Sequence, residues 1–168
     1  MSGDPARQRL VMVHHGDAVP EQVDPQRPLS PWGREAVERL AGVAAARGVA
    51  PAVVWHSGKL RARQTAEIYW RACNALAEFR AIGGLRPDDG PWQLRDHLFG
   101  EARVVMIVGH MPHLPRALGY LTTGDDNARA EFPLNGLVLL EREGDAGVWI
   151  ECGRLSGDGV ASPEDWRG

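Results

Sequence analysis

Histidines and cationic side chains stand at three places in the sequence, each directly after a short apolar run. The stretch VMVHHGDA (11–18) carries two adjacent histidines, HSGKLR (56–61) carries one histidine and two cations, and GHMPH (109–113) carries two more histidines. Imidazoles can act as nucleophiles, proton carriers or metal ligands, and lysine and arginine side chains bind anions. Histidines scattered over a surface would not concentrate in this way. These three stretches are therefore the candidate functional site.

The apolar runs that precede these stretches predict three buried strands, over residues 10–13, 51–55 and 102–110. Helical patterns separate them, which is typical of a mostly parallel sheet covered on both faces. The sequence therefore predicts an α/β fold, a three-layer α/β/α sandwich. Because ligands bind at the carboxyl ends of the strands in such sheets, the polar groups after each strand should meet at one edge.

The remaining elements follow from periodicity and from cap residues. Ser30 is a predicted N-cap with Pro31 at the first helical position, and Gly48 is a predicted helix end. The expected helices lie at 30–48, 60–77, 88–99 and 112–122; the expected strands besides the three above lie at 79–82, 135–143 and 147–155, the last two as a hairpin.

Length and composition set the broad class. The chain has 168 residues, 43% of them hydrophobic and 24% charged, with a net charge of −3 and no charged blocks, so nucleic acid and membranes are not expected partners. No targeting or membrane-spanning segment is expected. Two distant cysteines match no metal or redox spacing. We expect a cytoplasmic protein with a single domain over 1–168, loosely ordered at 1–8 and about 158–168.

Several motifs resemble those of the histidine phosphatase superfamily, whose members have the phosphoglycerate mutase-like fold. VMVHHGDA resembles the RHG signature, in which the histidine becomes phosphorylated, and VGHMP (108–112) resembles the second catalytic histidine. The other matching stretches are RPLSPWG (27–33), HSGKLRARQTAEI (56–68) and FPLNGLVLLE (132–141), the last similar to the short, SixA-type phosphohistidine phosphatase branch. Each motif alone is weak, but their order along residues 10–152 is specific.

The resemblance implies a role for each matching residue. His15, which precedes the glycine, would be the nucleophile; Arg61 would bind two phosphate oxygens; His110 would donate to the transferring phosphoryl group. No cofactor and no metal are implied. The residues expected to bind substrate are His14, Gly16, Ser57, Lys59 and Gly109.

His14 departs from the family pattern, which has arginine at this position. A histidine offers at most one donor to the site, and only a protonated imidazole brings charge. Strand alternation places His14 and His15 on opposite faces, although the turn at Gly16 could bring them together. Two interpretations stay open: His14 binds phosphate when protonated, so that affinity weakens as pH rises through neutrality, or it packs beneath the loop.

Other titratable residues have less support. Asp17, Asp88 and Asp89 are candidate acids for the leaving group, although loop carboxylates usually form solvated turns. His113 is expected either to line the pocket rim or to cap its own helix. The two remaining histidines, His56 and His97, are expected at the surface.

The sequence predicts a metal-independent phosphatase that acts through a phosphohistidine intermediate. The short stretch between the 60–77 helix and the 102–110 strand leaves little room for a lid. A phosphohistidine side chain presented by another protein is therefore the expected substrate, since its P–N bond breaks with little help from an acid. The alternatives are a phosphomonoesterase of a small metabolite, a catalytically weak phosphate-binding module, and a metal hydrolase built on the histidines.

Overall fold

The computed structural model describes residues 7–157. The expected loose order at residues 1–6 and 158–168 lies outside the described residues. The elements, in chain order, are β1 (Arg7–His14), α1 (Pro31–Ala46), β2 (Val53–His56), α2 (Leu60–Cys73), β3 (Glu78–Ala81), α3 (Pro91–Leu98), β4 (Val105–Gly109), α4 (His113–Thr123), β5 (Leu137–Glu143) and β6 (Ile150–Leu155).

All six of these strands form one sheet in the order β3-β2-β4-β1-β5-β6. The first four strands in this order are parallel to one another. β5 pairs antiparallel with β1, and β6 pairs antiparallel with β5. The predicted mostly parallel sheet and the predicted terminal hairpin are both confirmed.

The core lies on both faces of this sheet because successive side chains of a strand point to opposite sides. Leu10 and Met12 of β1 pack on the side of α3 and α4. Val11 and Val13 of the same strand pack on the side of α1 and α2. The helices thus form one layer on each face, and the predicted three-layer α/β sandwich is confirmed.

Two close approaches hold the loop after β1 against α1. A Cβ atom on Gly33 would lie 2.2 Å from the carbonyl oxygen of Asp17, and one on Gly16 would lie 2.5 Å from Val37 Cγ2. The side chain of Ser30 caps α1 as predicted, accepting from the Gly33 N–H at 2.9 Å. Because a side chain at either glycine would separate loop and helix, these glycines set the position of the residues that follow β1.

The bounds of α2 and β1 differ from the predicted ones. α2 ends at Cys73 instead of residue 77, because the Asn74 side chain leaves the helix and donates to the carbonyl of Pro51 at 2.9 Å. Leu76, which lies within the expected helix 60–77, is 96% exposed. Residues 7 and 8, expected to be loosely ordered, begin β1 and pair with β5.

None of the helices within residues 7–157 is both long and apolar enough to cross a membrane. The two cysteines are free and each is partly buried. The expected single domain over residues 1–168 stays a prediction.

Candidate active site

The order of the strands brings the predicted site residues to one edge of the sheet. His14 at the end of β1 is in register with Gly109 at the end of β4, and the His15 N–H donates to the Gly109 carbonyl at 3.2 Å. β2 pairs with β4 on its other side, which places Ser57 next to His110. The carboxyl ends of three parallel strands therefore supply neighbouring polar groups.

Both ring nitrogens of His15 have defined partners. Nδ1 lies 2.7 Å from the carbonyl oxygen of Gly16, and Nε2 accepts from Arg61 Nε at 3.2 Å. A carbonyl can only accept, so Nδ1 carries the proton and Nε2 presents its lone pair. Burial is the main cause that lowers the pKa of His15 from 6.5 to about 4, with the charges of Arg61 and Arg27 adding to it. The imidazole is neutral at neutral pH and has a nucleophilic nitrogen.

Arg61 lies in the first turn of α2 and is tied to the loop after β1 through Thr65. The Thr65 hydroxyl donates to the Arg61 carbonyl at 2.8 Å and accepts from the Gly16 N–H at 3.0 Å. Thr65 is fully buried. It was not among the predicted site residues, although it belongs to the RARQT segment that carries the resemblance.

His110 follows β4, and the centre of its ring lies 4.9 Å from that of His15. It is 1% exposed, and Nε2 lies 2.6 Å from the Ser57 hydroxyl. Nδ1 has no hydrogen-bond partner among the described residues. Burial first, then the neighbouring His15 and Arg61, lowers the pKa of His110 to about 2, so this imidazole is also neutral.

His14 lies beside His15, with the ring centres 4.5 Å apart. It is buried, and Nδ1 accepts from the backbone N–H of Asn135 at 2.8 Å. The proton of the neutral ring is therefore on Nε2. Burial is the largest cause that lowers its pKa to about 3. The interpretation in which His14 contributes a positive charge near neutrality does not fit this geometry, because protonating Nδ1 would displace the Asn135 N–H.

Asn135 and Arg27 are site residues that the sequence analysis did not single out. The Asn135 side chain donates to the His15 carbonyl at 2.8 Å, so this residue contacts both adjacent histidines. Burial is the largest cause that lowers the pKa of His15 and of Arg61, and the charge of Arg27 lowers both further. Arg27 is the first residue of RPLSPWG, and Asn135 lies within FPLNGLVLLE. Their places in these two motifs were the sequence evidence that could have identified them as site residues.

The other predicted substrate-binding residues contribute in different ways. Gly16 and Gly109 act through the backbone contacts described above. Lys59 precedes α2 with an exposed side chain, and its charge is one of the causes that lower the pKa of His110. Asp17 is not free, since its carboxylate accepts from the Ser30 hydroxyl at 2.7 Å.

The remaining histidines lie apart from this group. His113 is fully buried and has no hydrogen-bond partner on either ring nitrogen among the described residues, so it neither caps α4 nor lines a rim. His56 is buried against Phe79, not at the surface as expected, whereas His97 is exposed. Within residues 7–157, no three His, Cys, Asp or Glu side chains are arranged to hold a metal ion.

A cleft of about 680 Å³ opens beside the loop that carries His15. Gly16, Asp17 and Asn135 lie in its wall, whereas His14, His15, Arg61 and His110 do not. Trp32 and Leu134, also in its wall, are 63% and 68% exposed. The cleft is therefore open, partly apolar space that adjoins the loop after β1.

Comparison with known proteins finds similarity to solved structures. No protein-family model matches the chain, and no curated protein matches it. Among solved structures, the protein histidine phosphatase SixA complexed with tungstate superimposes with a TM-score of 0.78 at 20% identity, over 89% of this chain and 97% of that one.

Two further structures show the range of the similarity. A protein described as a phosphohistidine phosphatase SixA, from Agrobacterium tumefaciens, has a TM-score of 0.71 at 25% identity, over 88% of this chain and 97% of that one. A phosphoserine phosphatase from Entamoeba histolytica, in complex with 3-phosphoglyceric acid, has a TM-score of 0.65 at 12% identity, over 88% of this chain and 96% of that one.

Proposed function

The chain has the fold of the histidine phosphatase superfamily, as its motifs predicted, and we propose that it is a phosphatase that transfers the phosphoryl group to His15. The observation that carries this proposal is the state of His15. Its Nε2 is unprotonated and lies next to the Arg61 guanidinium and the His110 ring. Phosphoryl transfer needs a positioned nucleophile and neutralisation of charge, and this arrangement supplies both.

The proposed reaction has two displacements. In the first, the Arg61 Nε–H turns from His15 Nε2 to a phosphoryl oxygen and the freed Nε2 lone pair attacks phosphorus. The bond from phosphorus to the leaving group breaks, and the leaving group keeps the electron pair and takes up a proton. In the second, water attacks the phosphohistidine, the P–Nε2 bond breaks, and the water gives up a proton as inorganic phosphate leaves. Arg61 balances the charge on the phosphoryl oxygens in both steps, and the Gly16 carbonyl keeps the proton on Nδ1.

We infer that the substrate is a phosphorylated histidine, whose P–N bond needs little assistance from an acid. Asp17 is tied to the cap of α1, and Asp89 accepts from the Arg86 N–H at 2.9 Å in its own turn. The alcohol of a phosphate ester leaves as an alkoxide and needs a proton at once, whereas a phosphorylated imidazole that already carries a proton on its other nitrogen leaves as a neutral ring. The bonds that the Asp17 and Asp89 carboxylates already make therefore favour the P–N substrate over an ester.

We further infer that another protein presents this phosphohistidine. The cleft beside His15 is open and has two exposed apolar side chains, Trp32 and Leu134, in its wall. A protein segment could cover these side chains while its phosphorylated residue reaches His15, and burial of apolar area would stabilise that complex. A small metabolite would leave most of the cleft unfilled.

The decisive experiment compares a protein phosphorylated on histidine with free phosphohistidine and with an aryl phosphate. We expect the highest kcat/KM for the protein. The Trp32→Ala variant should raise KM for the protein substrate and leave the rates with both small compounds unchanged. Trp92→Ala is the matched control, because Trp92 is 45% exposed on α3 and does not line the cleft. Equal effects of both variants would contradict docking in the cleft.

Two alternatives have other outcomes in the same assay. A metabolite phosphomonoesterase would hydrolyse phosphate esters faster than phosphohistidine and would not respond to Trp32→Ala. A phosphate-binding module would bind inorganic phosphate without turning over any of these compounds. The neutral state of His14, where the family has arginine, is the observation that supports this second alternative.

A further inference from the structure

Ser57 is a buried hydroxyl whose position connects two loops of the site. It follows β2 and is 4% exposed, and its Oγ lies 2.6 Å from Nε2 of His110. Its Oγ also accepts from the Lys59 N–H at 3.4 Å. The sequence analysis assigned Ser57 to direct binding of substrate, but in the structure its hydroxyl contacts a histidine.

The direction of this hydrogen bond follows from the available acceptors. A serine hydroxyl has one proton to donate, and a neutral imidazole has one protonated nitrogen. Within residues 7–157, the Ser57 hydroxyl has one acceptor at hydrogen-bond distance, which is Nε2 of His110. If Nε2 instead carried the proton, two buried groups, the Ser57 proton and the Nδ1 lone pair, would lack partners, whereas the Nδ1–H tautomer leaves only the Nδ1–H without one. The hydroxyl therefore donates to Nε2.

This direction leaves the proton of His110 on Nδ1. That nitrogen is buried and has no hydrogen-bond partner among the described residues, although buried polar atoms almost always have one. The centre of the His110 ring lies 4.9 Å from that of the His15 ring, so the two imidazoles are direct neighbours. An Nδ1–H in this position lacks an acceptor that a phosphoryl oxygen would supply.

We propose that Ser57 is a positioning residue, which holds His110 as the neutral Nδ1–H tautomer so that this N–H donates to the transferring phosphoryl group. The role of the His110 Nδ1–H as a donor to the phosphoryl group rests on the proposed function. The assignment of the proton to Nδ1 does not depend on that function. Without the Ser57 hydroxyl, the proton can occupy either ring nitrogen, and only one of the two tautomers has the donor on Nδ1. The loss falls on the transition state, where charge on the phosphoryl oxygens changes most, and so on kcat more than on KM.

The experiment measures the tautomer of His110 directly, by nitrogen NMR of the full chain labelled with ¹⁵N-histidine and without any ligand. The His110→Gln variant identifies the His110 signals, because they disappear from its spectrum. The wild type should show a protonated Nδ1 and an unprotonated Nε2 on His110. Ser57→Ala should show a mixture of tautomers and a kcat lower by about tenfold, the loss typical of one hydrogen bond. Ser57→Thr keeps the hydroxyl and should restore both. Thr123→Ala, which removes a hydroxyl at the far end of α4 that donates to the Gly119 carbonyl, should leave the tautomer unchanged.

A protonated Nε2 in the wild type would overturn the proposal, and so would a Ser57→Ala variant with unchanged tautomer and kcat. A protonated Nδ1 in a protein that hydrolyses none of the phosphorylated compounds would support the tautomer and contradict the proposed function. The two failures are therefore distinguishable.

Discussion

Replacing His113 by leucine should reduce the sensitivity of the fold to acid. His113 begins α4, is fully buried, and has no hydrogen-bond partner on either nitrogen within residues 7–157. Burial is the main cause that lowers its pKa from 6.5 to about 4; the Arg116 charge also lowers it, and the Asp89 charge acts in the opposite direction. The folded state therefore resists protonation at a site that the unfolded chain protonates readily.

The size of the effect follows from proton linkage. Above pH 6.5, His113 is neutral in both states and contributes no pH dependence. Between pH 6.5 and 4, only the unfolded state takes up the proton, so the free energy of unfolding falls by about 1.4 kcal/mol per pH unit. Between pH 8 and 5, the loss from this one residue is about 2 kcal/mol. His113→Leu should remove that loss.

The assay is urea unfolding of both proteins at pH 8, 6.5 and 5, monitored by tryptophan fluorescence. The variant should gain about 2 kcal/mol relative to wild type between pH 8 and 5, whatever its stability at pH 8. His97→Leu is the control, since His97 is an exposed histidine on the neighbouring α3. A difference between His113→Leu and wild type that does not change with pH would refute the inference that His113 is buried in its neutral form.

Brief mixing with a reactive phosphodonor should place acid-labile, base-stable phosphate on the wild type and none on His15→Ala, as detected on gels of the labelled protein. Arg61→Ala should lower kcat/KM by about 10²- to 10³-fold, the loss typical of one preorganised donor, and Arg61→Lys should recover only part because lysine lacks the planar fork. His14→Arg should strengthen competitive inhibition by inorganic phosphate. The same substitution should lower the free energy of unfolding by about 1–3 kcal/mol, because the Asn135 N–H loses its acceptor. Weaker inhibition would show that His14 does not face the phosphate. Hydrolysis should continue at an unchanged rate after treatment with a chelator.

The arrangement of the catalytic candidates could be predicted because it depends on local pattern and on topology. Apolar runs that end at His14 and Gly109 predict buried strands, and the carboxyl ends of parallel strands meet at one edge. Proximity of the histidines follows from that rule without knowledge of any side-chain contact. The cap at Ser30 could likewise be predicted, since a hydroxyl there satisfies an N–H only three residues away.

The state of each histidine could not be predicted, because it depends on partners distant in the sequence. Asn135 donates to His14 across a separation of 121 residues, and Ser57 lies 53 residues from His110. A sequence shows that an imidazole is present, but only the packed structure shows which nitrogen has a partner. The same reason explains why His113 and His56 were expected in exposed or capping positions.

By itself, the sequence determined the layered α/β architecture and the meeting of His15, Arg61 and His110 at one edge. These follow from hydrophobic periodicity and from the rule that ligand-binding groups lie at the carboxyl ends of parallel strands. The tertiary structure alone decided the protonation of His14, the early end of α2 and the cleft beside Trp32. The physical reason is the range of the forces involved. Periodicity records which side chains leave water, whereas a tautomer or a pKa depends on single donors, carbonyls and charges that packing brings within about 3 Å.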